Sequence, residues 1–125
     1  MTGFAAVLAT AILTALAVLQ TAVASGAPLG RFVWGGQHRT LPPPLRVSSA
    51  ASILLYAGFA LVLLSRAGVI PGSDTGFVVV MAWLVFGFLA LAVFGNLASQ
   101  SKAERQTMVP TSAVLAAAGL IVAAS

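Results

Sequence analysis

"GFVVVMAWLVFGFLALAVFGNLAS", residues 76–99, runs for 24 positions without one charged side chain. An α-helix rises about 1.5 Å per residue, and crossing ~30 Å of hydrocarbon takes about 20 mainly apolar residues. This stretch exceeds that length, and it is apolar on every face, whereas a helix at the surface of a soluble domain keeps a polar face. It reads as a membrane span. Outward from it lie three more runs of the same kind. Residues 3–24 give 22 positions with Gln20 the only strongly polar side chain, residues 47–65 give 19 ended by Arg66, and residues 108–125 give 18. The last reaches only ~27 Å, so it is expected to begin earlier or to thin the bilayer locally.

The expected fold is therefore an all-α membrane protein, four antiparallel transmembrane helices in a bundle. The helices fall at about 3–25, 47–66, 76–99 and 108–124 within a single transmembrane domain, 1–125, and the connection 26–46 has turn and interfacial character. Composition agrees. Of 125 residues, 60% are hydrophobic and 6% charged, against roughly 25% charged in an average soluble domain. The chain holds no cysteine, which excludes disulfides, thiolate metal sites and a cysteine nucleophile.

The first run also offers "AVASGA", residues 22–27, with Ala22 and Ala24 spaced to suit a signal peptidase. No Lys or Arg precedes it, however, and its length exceeds the usual 7–15-residue apolar core of a leader. It is expected to be helix one. Orientation follows from the basic residues. Arg31, Arg39 and Arg46 lie between helices one and two, and Lys102 and Arg105 between three and four; the opposite side has Arg66, partly offset by Asp74. Positively charged loops stay cytoplasmic, which puts "WGGQHR" inside and both termini outside.

Packing between helices in lipid depends on small residues and interhelical hydrogen bonds. Thr10, Thr14, Ala17 and Thr21 form one small stripe; Ser48, Ala51, Ser52 and Gly58 form a second, and Ser112, Ala116, Gly119 and Ala123 a third. These are expected to face inward. Helix three is aromatic (Phe77, Trp83, Phe86, Phe88, Phe94), with Gly87 and Gly95 as its small positions, and part of that surface is expected to fill the remaining volume. Ser101-Lys102-Ala103-Glu104 fits a capping box, with Glu104 returning a bond to Ser101. Pro110, six residues on, allows either a short helix 101–107 with a fresh start or one helix bent there. Asn96 is expected to cap the last carbonyls of helix three.

Chemistry is narrowed by elimination. Both carboxylates lie in connections or at helix ends, so no ionisable group marks a coupling site within a span. One histidine in the chain cannot supply a two-histidine metal motif or a bis-histidine haem, and the only base available to a serine nucleophile is His38. No catalytic residue, metal, cofactor or nucleic-acid partner is expected, and the protein is expected not to be an enzyme.

The connection "RFVWGGQHRTLPPPLR", residues 31–46, holds three of the six basic residues and the only histidine. As a plain join, Pro28 stops helix one and the glycines supply turns. Trp34 and Phe32 then anchor at the headgroups, and Pro42-Pro43-Pro44 is a stiff extended lead that leaves Arg46 to lipid phosphates. As a site, Gln37, His38 and Arg39 close the mouth of the bundle beside Trp34 and bind a polar or anionic headgroup. Arg39 supplies charge there and His38 a proton switch. Lys102 and Arg105 on the same side, with Gln20 and Asn96 at the adjoining helix ends, would complete it.

"GAPLGRFVWGG", "LPPPLR" and "GNLASQSKAER" resemble stretches of small four-helix integral membrane proteins of high-GC bacteria. That resemblance spans most of the chain and implies a multi-pass protein of the bacterial inner, cytoplasmic membrane, without assigning an activity or catalytic residues. The membrane-embedded acids and histidines of four-helix sterol-isomerase-like proteins are missing. Two functions follow as expectations. One is a non-enzymatic membrane protein binding lipid, a small apolar molecule or a partner protein through its bundle and basic face. The other is an oligomeric transporter or channel component. Expected partners are membrane lipids, further copies of the chain or a larger membrane protein.

Overall fold

A computed structural model describes residues 2–72 and 74–125. Four helices account for most of them: α1 (Thr2–Ala24), α2 (Pro43–Arg66), α3 (Gly76–Leu97) and α4 (Lys102–Ala123). All four are long and apolar enough to cross a membrane. Between α1 and α2 the chain makes two short 3₁₀ turns, Gly30–Phe32 and Trp34–Gly36. Among the described residues there is no strand.

The helix ends differ from expectation for local reasons. Helix α1 stops at Ala24, and Gly26 follows at φ 101°, where the Gly26 and Ala27 amides return to Val23 and Ala22 carbonyls. A left-handed glycine of this kind closes a helix by satisfying its last acceptors, so Gly26 ends α1 before Pro28 is reached. Helix α2 starts four residues earlier than position 47. Only Pro42 is extended (φ −68°, ψ 160°), and Pro43 and Pro44 lie in the first turn, where a missing N–H costs nothing. Helix α4 runs unbroken from Lys102 through Pro110. Of the two arrangements open at that proline, the single helix is the one formed, and its 22 residues give ~33 Å.

The helices meet mainly as α1 on α2 and α3 on α4, with α1 also touching α4. At one end, which we call the terminal end, the Thr2 and Ser125 hydroxyls are 2.8 Å apart and Arg66 donates to the Ser125 carbonyl oxygen. The start of α1 and the ends of α2 and α4 therefore come together. The opposite, loop end gathers the end of α1, the start of α2, the end of α3 and the start of α4. Here the Ser101 hydroxyl donates to the Arg31 carbonyl (2.6 Å), and the Trp34 Nε1–H donates to the Ser49 hydroxyl (2.8 Å).

The core begins at the terminal end. Ala5, Ala6, Ala9 and Leu13 of α1 are buried with Leu63, Val85, Leu89, Leu115, Ala118 and Val122. The stripe expected on α4 is inside: Ser112, Ala116, Gly119 and Ala123 are all buried. The one expected on α1 is not. Thr14 and Thr21 are exposed and Thr10 and Ala17 half-buried, while each threonine hydroxyl donates to a carbonyl four residues back. A hydroxyl satisfied on its own helix needs no interior partner, which leaves alanine to make the close approach. On α2, Ala51 and Gly58 are exposed and only Ser49, Leu63 and Ser65 are buried. On α3, Phe77, Trp83, Phe88 and Phe94 are exposed and Phe86 is half-buried; Phe88 also packs on Phe59 with ring centroids 5.0 Å apart.

Candidate functional site

Beyond Leu13 the bundle is hollow. A cavity of about 250 Å³ lies between all four helices toward the loop end, with Phe32, Val33 and Trp34 of the connection in its wall. Leu16 and Leu19 of α1, Leu55 of α2, Leu89 of α3 and Met108 and Leu115 of α4 are among its apolar lining. Leu55 and Phe88 line it while staying 47% and 48% exposed. They form its side wall between α2 and α3.

The connection is held over this space by contacts that only particular residues permit. Gly30 donates its amide to the Arg39 carbonyl at 2.8 Å, and a Cβ at Gly30 would stand 1.8 Å from the His38 carbonyl oxygen. Gly36, at φ 70°, lies so close to α4 that a Cβ there would meet that of Ser101 at 2.3 Å. Between them Trp34 adopts φ 51°, a left-handed conformation unfavourable for so bulky a side chain. The Nε1–Ser49 bond and the turns on either side hold it there. Strained residues persist where their surroundings over-determine them, often next to functional sites.

Polar groups enter the cavity from three helices. Gln20 of α1 is 7% exposed and its Oε1 has no hydrogen-bond partner. Asn96 of α3 reaches across to α4, donating from Nδ2 to the Ser112 hydroxyl (3.0 Å) and the Met108 carbonyl (3.4 Å). It joins two helices and does not cap α3. Glu104 of α4 is 6% exposed and lines the cavity. The expected capping box is half made. The Ser101 hydroxyl accepts from the Glu104 amide at 3.2 Å, but the Ser101 amide donates to the Ser99 hydroxyl at 3.1 Å. The Glu104 carboxylate is thereby left to the cavity, with no hydrogen bond or ion pair to any described residue. Its place in the first turn of α4 gives it the favourable end of the helix dipole.

Of the eight residues expected at a site, the structure brings Trp34, Gln20 and Asn96 to this cavity. Gln37, His38, Arg39 and Lys102 are exposed and outside it. Arg105 turns back to the Ser99 carbonyl at 2.6 Å, and Arg46 donates to the Leu41 carbonyl at 2.8 Å. Arg31 lies over the Phe32 ring, 4.8 Å from its centroid. The basic residues thus stabilise or decorate the loop end without entering the cavity. Sequence reasoning missed Glu104 as a cavity group, because Ser-x-x-Glu before an apolar run is the ordinary mark of a helix start. Periodicity carried the missing signal: Glu104, Met108, Ser112 and Leu115 share one helical face. Among the described residues, no group of three or more His, Cys, Asp or Glu side chains is placed to hold a metal ion. Comparisons with protein-family models, curated proteins and solved structures returned no match.

Proposed function

We propose that the protein is a non-enzymatic, multi-pass protein of the bacterial inner membrane whose helix bundle binds a small, largely apolar molecule in the cavity at its loop end. The single observation that carries this reading is the cavity itself, apolar on most of its wall and furnished with a few convergent polar groups, the usual make-up of a small-molecule site. An apolar cavity of about 150 Å³ holds a benzene molecule, so about 250 Å³ suits a single-ring compound with a short side chain. The exposed surfaces of Leu55 and Phe88 beside the cavity suit entry of a ligand from the bilayer between α2 and α3.

Under the same proposal the four helices are antiparallel spans, which the shared chain ends at each pole support. The loop end, with Arg31, Arg39, Arg46, Lys102 and Arg105, is cytoplasmic by the positive-inside rule. The exposed Gln37, His38 and Arg39 then lie among headgroups, where Arg39 meets lipid phosphates. Two measurements test the proposal. Equilibrium dialysis of 2-phenylethanol against the protein in lipid nanodiscs is expected to show saturable binding at one site, lost in Ala92→Phe, whose ring enters the cavity; partition no greater than into empty nanodiscs would refute it. In intact cells, His38→Cys is expected to resist a membrane-impermeant thiol reagent and Ser73→Cys to react. The reverse pattern would overturn the orientation.

A further inference from the structure

The cavity's hydrogen-bonding groups are unevenly used, and the imbalance points to the chemistry of its occupant. Its donors are largely committed, the Tyr56 hydroxyl beside Gln20 being the exception. Trp34 Nε1–H goes to Ser49, Asn96 Nδ2 to Ser112 and Met108, the Ser112 hydroxyl to the Met108 carbonyl and the Ser52 hydroxyl to the Ser48 carbonyl. What remains open is oxygen: the Glu104 carboxylate, on a side chain 6% exposed that no other described residue pairs, and the buried Gln20 Oε1, which has no hydrogen-bond partner. Burying an amide oxygen without a partner is expensive, and a Glu so little exposed is almost never left unpaired. The helix dipole lowers the cost of the charge but supplies neither oxygen with a hydrogen bond. The nearest basic side chains by sequence are turned elsewhere, Arg105 to Ser99 and Lys102 to the surface.

We propose that the Glu104 carboxylate and Gln20 Oε1 make this cavity a site for a small amphiphilic ammonium compound, an apolar body carrying a protonated amine. This rests on the reading that the cavity binds a small molecule, and adds the class. The ammonium N–H groups complete the two open acceptors, and its charge balances Glu104. The rings of Trp34, Tyr56 and Phe88 in the wall add a surface that attracts cations. An anionic ligand would repel the carboxylate, and a neutral one would leave its charge unbalanced.

Three isosteric probes test the proposal in nanodiscs of zwitterionic lipid: phenethylammonium, 2-phenylethanol and phenylacetate. A hydrogen bond to a charged group corresponds to about a ten- to hundredfold change in affinity. Wild-type protein is expected to bind the ammonium at least about tenfold more tightly than the alcohol, and phenylacetate more weakly than either. In Glu104→Gln, which keeps shape and size, the preference for the ammonium over the alcohol should disappear. Equal binding of ammonium and alcohol by the wild type would overturn the assignment of ligand class while leaving a neutral-ligand site standing, and it does so whether or not the variant folds. An ammonium preference that survives in folded Glu104→Gln would overturn it as well. Failure of all three probes to bind would remove the site altogether, and the proposal with it.

Discussion

The two halves of the bundle solve the same packing problem in opposite ways. At the terminal end, alanines at positions 5, 6 and 9 let α1 approach its neighbours so closely that Ala6, Ala9, Leu63 and Val122 have no exposure at all. Small residues at helix contacts are how association gains dispersion energy when lipid offers no hydrophobic drive. At the loop end, Leu16, Leu19, Tyr56 and Met108 take the corresponding positions. Larger side chains hold the helices apart, and the gap between them keeps the cavity. Polar side chains follow the same division, since Gln20, Asn96 and Glu104 all sit on the hollow side. Around α1 and α4 one half holds the helices together and the other surrounds a space, while α2 and α3 part along a second apolar groove lined by Leu54, Gly58, Phe59, Val62, Met81 and Val85.

The connection over the hollow half is where the difference can be broken most severely. Gly30→Ala would force a Cβ against the His38 carbonyl oxygen and displace the amide bond to Arg39. Overpacking against backbone that cannot yield is expected to cost at least about 3 kcal/mol, read as a lower thermal midpoint in detergent together with loss of probe binding. A variant as stable as wild type would mean that the turns over the cavity are not fixed.

The next largest effect sharpens the contrast by making one change in both halves. Ala6→Phe is expected to destabilise by roughly 2–3 kcal/mol, because the new ring has no room among close-packed neighbours. Ala92→Phe, which meets the cavity, should cost under about 1 kcal/mol while abolishing binding. Thermal denaturation of the two variants side by side measures this, and equal losses would deny that the halves differ.

These contrasts also show what the chain discloses before its structure is known. Four long apolar helices were legible because an uncharged run of 18 residues or more has few other uses, and the basic residues of the loop end were visible as a group. Packing was legible on α4, where Ser112, Ala116 and Gly119 lie inside, but not on α1. There the threonine stripe and the alanine stripe both repeat at helical spacing, and the choice depends on hydroxyls already satisfied four residues back. The candidate site was legible only in outline. Trp34, Gln20 and Asn96 stand out as rare polar or amphipathic groups near span ends. Glu104 was hidden by its resemblance to a helix cap, because whether its carboxylate bonds to Ser101 or faces a cavity depends on Ser99, a local competition that spacing does not reveal.

The smallest expected effect lies in the exposed part of the connection. Replacing His38 and Arg39 together with alanine should change stability by no more than about 0.5 kcal/mol, as for most solvent-facing sites, and should leave cavity binding intact. Retention of an anionic lipid, followed by native mass spectrometry at pH 5.5 and pH 8, checks whether the pair contributes at the headgroups. If the double variant also loses the neutral probe, the loop surface and the cavity act as one site.

The central claim, that the hollow half is a binding site, is tested most directly from inside the cavity. Trp83→Phe leaves Trp34 as the sole tryptophan, and Trp34 lines the cavity. Titrating this variant in nanodiscs with bromobenzene, a heavy-atom quencher, is expected to give saturable quenching of Trp34 emission that disappears when Ala92→Phe is added. Quenching that rises linearly with bromobenzene, to the same extent with and without Ala92→Phe, would reflect only probe dissolved in lipid and would contradict the account.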